Sequence, residues 1–306
     1  MTQFTLRPQR LRRVQLAVPG SSEKMIRKAA ASDADHVFLD LEDAVAPSQK
    51  VEARKNIVEA FNTLDWGKKT RCVRINDLST KYTYEDIITV VTGARENVDT
   101  LMLTKVKSVS DVLFADTLLR QLEETLGLQK RIGLEALIEE VEGLQNVEAI
   151  AKSCDRLEAL VFGMGDFSAS MGVLITPDGK VGPYPGDVWH YSRFRMVMAC
   201  RAAGIDPIDG PYADFRDPEG YTEECSRSLT LGCVGKWAIH PAQIELAIKA
   251  FSPDPQVVAR ARQLAAAYEQ AKAQGLGAIN FEGTMVDVAS IRMFGAILKQ
   301  ADLIGM

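Results

Sequence analysis

VFLDLEDAVAP, residues 37–47, begins as a buried strand and ends in acids. Val37, Phe38, Leu39 and Leu41 form the apolar run, yet Asp40, Glu42 and Asp43 are set into and just after it. Unpaired carboxylates are expensive in a packed interior, so this strand has to end on a polar space. The same form recurs along the chain. RVQLAVPG (13–20), TRCVRIND (70–77), TLMLTKV (100–106), IGLEALIE (132–139), LEALVFGMGD (157–166), GIDPIDGP (204–211) and CVGKWAIHP (233–241) are further short apolar runs, separated by segments with helical periodicity. Eight such β-α units predict an α/β chain closed into a (β/α)8 TIM barrel, whose sites lie at the C-terminal ends of the strands. An open doubly wound sheet would normally stop at about five or six strands. VPGSSEKM, after the first strand, also lacks the G-x-G-x-x-G spacing of a dinucleotide site.

The rhythm changes after the eighth strand. SPDP (252–255) reads as a linker, QVVARARQLAAAYEQAKAQG (256–275) as an Ala-rich helix, AINFEGTM (278–285) as a turn or short hairpin, and 286–305 as a last helix. A barrel domain over 1–250 and a helical extension over 251–306 are expected. At 306 residues, 46% hydrophobic and 25% charged, the chain has the composition of a soluble globular protein. A net charge of −5 argues against a nucleic-acid or anionic-membrane surface. The basic start, MTQFTLRPQRLRRVQLAV, has no long apolar stretch behind it, so neither a secretory signal nor a membrane span is expected. Five scattered cysteines without CxxC spacing read as reduced thiols in a cytoplasmic protein.

In a barrel the polar strand ends converge on one mouth. Asp40, Glu42 and Asp43 meet there with Arg74, Asn76 and Asp77 of the third strand, Lys105 of the fourth, Glu139 of the fifth and Asp166 of the sixth. Glu139 and Asp166, hard oxygen donors from neighbouring strands, suit Mg²⁺. The plainer alternative for Glu139 is an acid favoured at the start of the next helix. His36, His190 and His240 have no zinc-like spacing. Arg74 lies between Val73 and Ile75, so strand alternation turns it to the opposite side, toward the barrel interior. There it either clamps a carboxylate or polarises a carbonyl of a ligand, or it pairs with Asp40 or Glu42. Lys105 has the type of a Schiff-base nucleophile, but an acid-rich mouth keeps it charged and favours an ion pair. Pro19, Gly20 and Ser21 form a tight turn whose backbone N–H groups can meet a phosphate or carboxylate, or simply connect strand to helix. The arm carrying Arg7, Arg10, Arg12 and Arg13 reads as a solvated terminus, with contact to a nucleotide phosphate as the other option. Asp287, by position, caps the last helix.

Taken together, LAVPGS (16–21), VFLDLEDAVAP, VRIN (73–76), LIE (137–139), GMGDFSASMG (163–172), IDPIDGPYADF (205–215), GKWAIHPAQI (235–244) and MVDVASIRM (285–293) resemble the malyl-CoA lyase branch of the citrate lyase β-subunit family, the HpcH/HpaI aldolase-like enzymes. The resemblance runs in order over essentially the whole chain. It implies a barrel with a C-terminal lid, Mg²⁺ (with Mn²⁺ as a substitute), coenzyme A thioesters and small 2-oxo acids as substrates, and homo-oligomers built from trimers, as trimer or hexamer. By the same resemblance Glu139 and Asp166 hold the metal and Arg74 binds substrate. Asp287 becomes an acid/base group that the lid delivers into a neighbouring subunit, which displaces the capping reading. Asp40, Glu42 and Asp43 surround the metal-bound waters and orient Arg74, while Pro19, Gly20, Ser21 and Lys105 contact substrate. The implied reaction is a reversible Claisen condensation that joins acetyl-CoA or propionyl-CoA to glyoxylate, with malyl-CoA or β-methylmalyl-CoA as product. Two departures stand out: Thr104 replaces a proline usual before Lys105, and the loop 171–191 is shorter than in relatives. Rival readings are a malyl-CoA thioesterase, a citrate lyase β subunit acting on citryl or citramalyl thioesters, and a non-catalytic thioester sensor.

Overall fold

The computed structural model describes residues 7–174, 184 and 186–306. The first unit is β1 (Val14–Pro19) followed by α1 (Glu23–Ala30), and the alternation continues through β2 (His36–Asp40), α2 (Lys50–Thr63), β3 (Thr70–Arg74), α3 (Thr83–Ala94), β4 (Thr100–Leu103) and α4 (Val109–Leu126). The second half holds β5 (Gly133–Ile138), α5 (Val141–Gln145), α6 (Val147–Ala151), β6 (Leu157–Phe162), α7 (Met164–Met171), α8 (His190–Ala203), β7 (Asp206–Asp209), α9 (Pro218–Leu231), β8 (Gly235–Ala238) and α10 (Ile244–Phe251). All eight strands are parallel neighbours in chain order, and β1 pairs with both β2 and β8, which closes the barrel. Each expected strand is present, and each is shorter than the apolar run because its last residues leave the ladder for the mouth.

Alternation sorts the side chains into two cores. Phe38, Cys72, Met102, Leu137, Ala159, Val161, Ile208 and Trp237 fill the interior of the barrel. Their neighbours in sequence, such as Val37, Leu39, Val73, Leu101 and Ile138, face outward against the helices in the larger core. Local signals set the helix limits. Ser108 and Asp111 form a capping box at the start of α4, and Gly127 ends it in the left-handed conformation, φ 63°.

The arginine-rich arm is neither solvated nor near the mouth. Arg7 donates to the carbonyls of Cys154, Asp155 and Ala203, Arg10 pairs with Glu158, and Arg13 pairs with Asp35. Arg12 is buried among Glu135, Glu158 and Asp206. Both expectations for the arm are therefore corrected: it plugs the N-terminal end of the barrel, opposite the strand ends that carry the site. A buried guanidinium is tolerable there because three carboxylates accept its protons.

After Phe251 the extension comprises α11 (Pro255–Ala273), a hairpin of β9 (Ala278–Phe281) and β10 (Thr284–Asp287), and α12 (Val288–Ile304). Asp254 caps α11 and Pro255 occupies its first position, which accounts for SPDP as a boundary. Glu282 and Gly283 both have positive φ, 49° and 83°, the geometry a two-residue hairpin turn requires. The extension has a small core of its own in Leu264, Tyr268 and Val286. Among the described residues no helix is long and apolar enough to cross a membrane.

Candidate active site

β2 and β3 lie side by side with Asp40 in register with Arg74, so their inward side chains meet at the mouth. Arg74 donates Nε to Asp40 Oδ1 at 2.8 Å and Nη2 to Asp40 Oδ2 at 2.6 Å, a bidentate fork, with Glu42 Oε2 at 3.3 Å from Nη1. Asp40 in turn accepts the backbone N–H groups of Glu42 and Ala44, at 2.8 and 3.0 Å, which fixes the turn after β2. Burial works against both charges, but their mutual attraction outweighs it, lowering the Asp40 pKa and raising that of Arg74. Asp40 is thus the orienting partner of Arg74, and Arg74 keeps its charge.

Lys105 gathers the remaining acids. Its Nζ lies 2.5 Å from Glu42, 3.5 Å from Asp166 and 3.8 Å from Asp43, and its backbone N–H donates to Glu139 Oε1 at 2.8 Å. Lys105 has φ 49°, a conformation that a side chain with a Cβ seldom adopts, and the bond to Glu139 holds it there. Burial alone would lower its pKa, but Glu42, Glu139 and Asp166 raise it, so the ammonium is charged and is no Schiff-base nucleophile. The hydroxyl of Thr104 donates to the Ile75 carbonyl at 3.2 Å, tying this loop to the end of β3.

Glu139 and Asp166 come together as the sequence predicted. Glu139 follows β5 and is 3% exposed, whereas Asp166 sits in the first turn of α7 and is open to solvent. Gly163 makes the room: a Cβ there would lie 2.6 Å from both the Cβ and Oε2 of Glu139. Burial pushes the Glu139 carboxyl up to about 8, with Glu42 and Asp166 adding to the rise against the pull of Lys105. Asp40, Glu42, Asp43, Glu139 and Asp166 thus outnumber Arg74 and Lys105, and Glu42 Oε2 is buried without a hydrogen-bond donor. An excess of carboxylate oxygens with one orphaned acceptor is a donor set that fits a hard divalent cation.

A second cluster does not fit one. His36, Cys72 and Glu135 approach one another in the barrel interior. Glu135 Oε1 already faces His36 at 2.9 Å, Thr100 at 3.2 Å and Arg12 at 3.3 Å, and Oε2 accepts from Gln15 at 2.9 Å. A cation there would be set against the Arg12 guanidinium.

Two predicted elements are placed differently from the rest. In the turn after β1, Gly20 donates its N–H to the Asp40 carbonyl at 2.8 Å and Ser22 donates to Pro19 at 3.1 Å. The first bond ties the turn to β2 and the second closes the turn on itself, so the N–H groups of Gly20 and Ser22 are already engaged. Asp287 accepts from Ser290 N at 3.0 Å and caps α12, with its side-chain hydrogen bonds confined to its own turn. Within one chain it joins none of the mouth residues. The loop difference assigned to 171–191 falls largely on 175–183 and 185, outside the described residues.

Beneath the mouth residues lies a further layer that the polar strand ends do not mark. Phe38 and Trp237 lie under Arg74, and Gln15 holds the Trp237 indole. The available signal was Gln15 and Glu135, lone polar residues within apolar runs in the same way as Asp40.

The model of the HpcH/HpaI aldolase/citrate lyase family matches residues 13–241. L-malyl-CoA/β-methylmalyl-CoA lyase of Rhodobacter capsulatus is 44% identical, over 97% of this chain and 96% of its own. The mitochondrial citramalyl-CoA lyase of Homo sapiens is 34% identical over 95% of this chain and 83% of its own. Among solved structures, the protein CitE from Mycobacterium tuberculosis in complex with magnesium, acetoacetate and coenzyme A superposes with a TM-score of 0.72 at 29% identity, covering 94% of this chain and 97% of that one. A closed eight-stranded barrel, a family model spanning most of it and full-length relatives of this similarity leave one assignment: the chain belongs to the HpcH/HpaI aldolase/citrate lyase family.

Proposed function

We propose that the protein is a Mg²⁺-dependent carbon–carbon lyase that reversibly cleaves malyl-CoA or β-methylmalyl-CoA to glyoxylate and acetyl-CoA or propionyl-CoA. The observation that carries this reading is the mouth itself: a charged arginine clamped beside an excess of carboxylates, in a chain 44% identical to a lyase of that name.

Glu139 and Asp166 would hold the cation, which supplies Lewis acidity toward the carboxylate and carbonyl oxygens of the oxo acid. Arg74 donates to the oxo-acid oxygen, which becomes an alkoxide as the carbon–carbon bond forms and starts as one when it breaks, an interaction that stabilises the charge developed in the transition state. Asp40 holds Arg74 in place, and Lys105 keeps Glu42 and Asp43 drawn together beside the metal carboxylates. Asp287 moves the proton at the acyl α-carbon, reaching the mouth of another subunit of a trimer or hexamer through the extension 251–306. Mn²⁺ serves as an alternative ion of the same hard-donor class. A cytoplasmic location fits the cysteines, all five of which are free thiols that a reducing compartment keeps so.

Purified protein incubated with malyl-CoA, with and without Mg²⁺, is expected to release glyoxylate, trapped as its hydrazone, only when the metal is present. Malate and free CoA without glyoxylate would mean a thioesterase. Citramalyl-CoA, named for the 34% identical relative, is the second substrate to offer.

A further inference from the structure

The Arg74 guanidinium lies over an aromatic shelf. Its central carbon lies 5.8 Å from the centre of the Phe38 ring and 5.6 Å from that of Trp237, and the two rings are 4.4 Å apart. The Asp40 fork fixes two N–H directions but leaves the plane free to rock about the line joining the two groups. Two rings in cation–π range on one side of the group restrict that freedom.

The shelf has its own support. Trp237 Nε1 donates to Gln15 Oε1 at 2.8 Å, and Gln15 Nε2 donates to Glu135 Oε2 at 2.9 Å. The Gln15 amide has one orientation here, because its oxygen faces a group that only donates and its nitrogen faces a carboxylate that only accepts. Glu135 is anchored in turn by Arg12, His36 and Thr100. Gln15, Phe38 and Glu135 are fully buried and Trp237 nearly so. A polar column therefore runs along the barrel interior from the arginine plug at one end to Arg74 at the other. It passes among Cys72, Met102, Leu137 and Val161, where an apolar residue at position 15 would pack without any need for partners.

We infer that Trp237 and Gln15 are positioning residues for Arg74, setting the height and tilt of its guanidinium at the reacting carbonyl through the indole hydrogen bond. This rests on the role proposed above for Arg74. Trp237→Phe keeps a ring on the shelf and removes the indole N–H; Gln15→Met removes the support and is the second variant should the first fail to fold. Each is expected to lower kcat about tenfold, leaving KM for the acyl-CoA and the Mg²⁺ affinity of the metal-free protein near parental values. In an Arg74→Lys background the same substitutions are expected to change kcat by less than about twofold, because the group they position is already gone. Equal losses of kcat in both backgrounds would overturn the inference, since the residues would then act on stability or packing alone. Arg74→Lys with parental kcat would instead overturn the role of Arg74, and the inference with it.

Discussion

Glu139 is held in a condition that suits a metal and disfavours the metal-free fold. Its pKa of about 8 lies above the ordinary carboxylate range because the group is buried among other acids. The folded chain therefore keeps a proton that the unfolded chain releases near pH 4.5, and stability falls as pH rises from there to about 8. At roughly 1.4 kcal/mol per pH unit the loss amounts to a few kcal/mol. Metal-free Glu139→Gln is accordingly expected to melt at a higher temperature than the parent at pH 8, with the difference vanishing near pH 4. Saturating Mg²⁺ should stabilise the parent and leave the variant unchanged; a variant less stable than the parent at pH 8 would contradict this account. Gly163 is bound to the same residue by space, since a Cβ would stand 2.6 Å from Glu139 Oε2. Calorimetric titration of Gly163→Ala with Mg²⁺ should show affinity down by at least about tenfold, the carboxylate having been displaced. Unaltered affinity would mean that Glu139 is not a ligand.

The turn that joins β1 to α1 shows how one element sets the geometry of another. Gly20 lets the chain pass so close to β2 that a Cβ would lie 2.7 Å from the Asp40 carbonyl and 2.8 Å from Ile57 Cδ1. Gly20→Ala is expected to cost about 1–3 kcal/mol in chemical denaturation. Because Asp40 carries Arg74, kcat should fall as well, and loss of stability with parental kcat would show that the turn does not reach the site. At this scale the sequence was informative. Polar residues at the ends of apolar runs marked Asp40, Arg74, Lys105, Glu139 and Asp166, all of which the barrel brings to one mouth. The segment 142–154, EGLQNVEAIAKSC, has the periodicity of one helix but is divided at Asn146 into α5 and α6. There Gly143 approaches the Val106 carbonyl, a tertiary contact that periodicity does not carry. The arginine arm escaped a correct reading for a similar reason. Its partners, Asp35, Glu135, Glu158 and Asp206, are distant in sequence and converge only once the barrel has closed. The interior column was missed because Trp237 and Gln15 lie at opposite ends of the chain and pair through the closing strands β8 and β1.

Across the whole molecule the extension is the least committed part. α12 is an apolar helix whose fully buried residue is Ala301, while Val288 and Met293, with Met285 in the strand before it, stand in solvent. Surface of that kind on a chain that ends in its own small core is suited to contact with a second copy. Asp287 heads this helix, and its side-chain hydrogen bonds stay within its own turn; the role proposed for it has the extension deliver it to the mouth of a second subunit. A site shared in the proposed way has a direct consequence for mixed oligomers. Asp287→Asn subunits retain an intact mouth, and Glu139→Gln subunits retain an intact acid/base group, so each homo-oligomer alone is expected to be inactive. Co-expressed in equal amounts they form mixed oligomers in which half the mouths are intact and half the arriving tails are intact. About a quarter of the sites then combine both, and activity should recover to about that fraction of the parent's. Recovery near that level would place Asp287 in trans, whereas mixed oligomers as inactive as either parent variant would require mouth and tail to act within one chain.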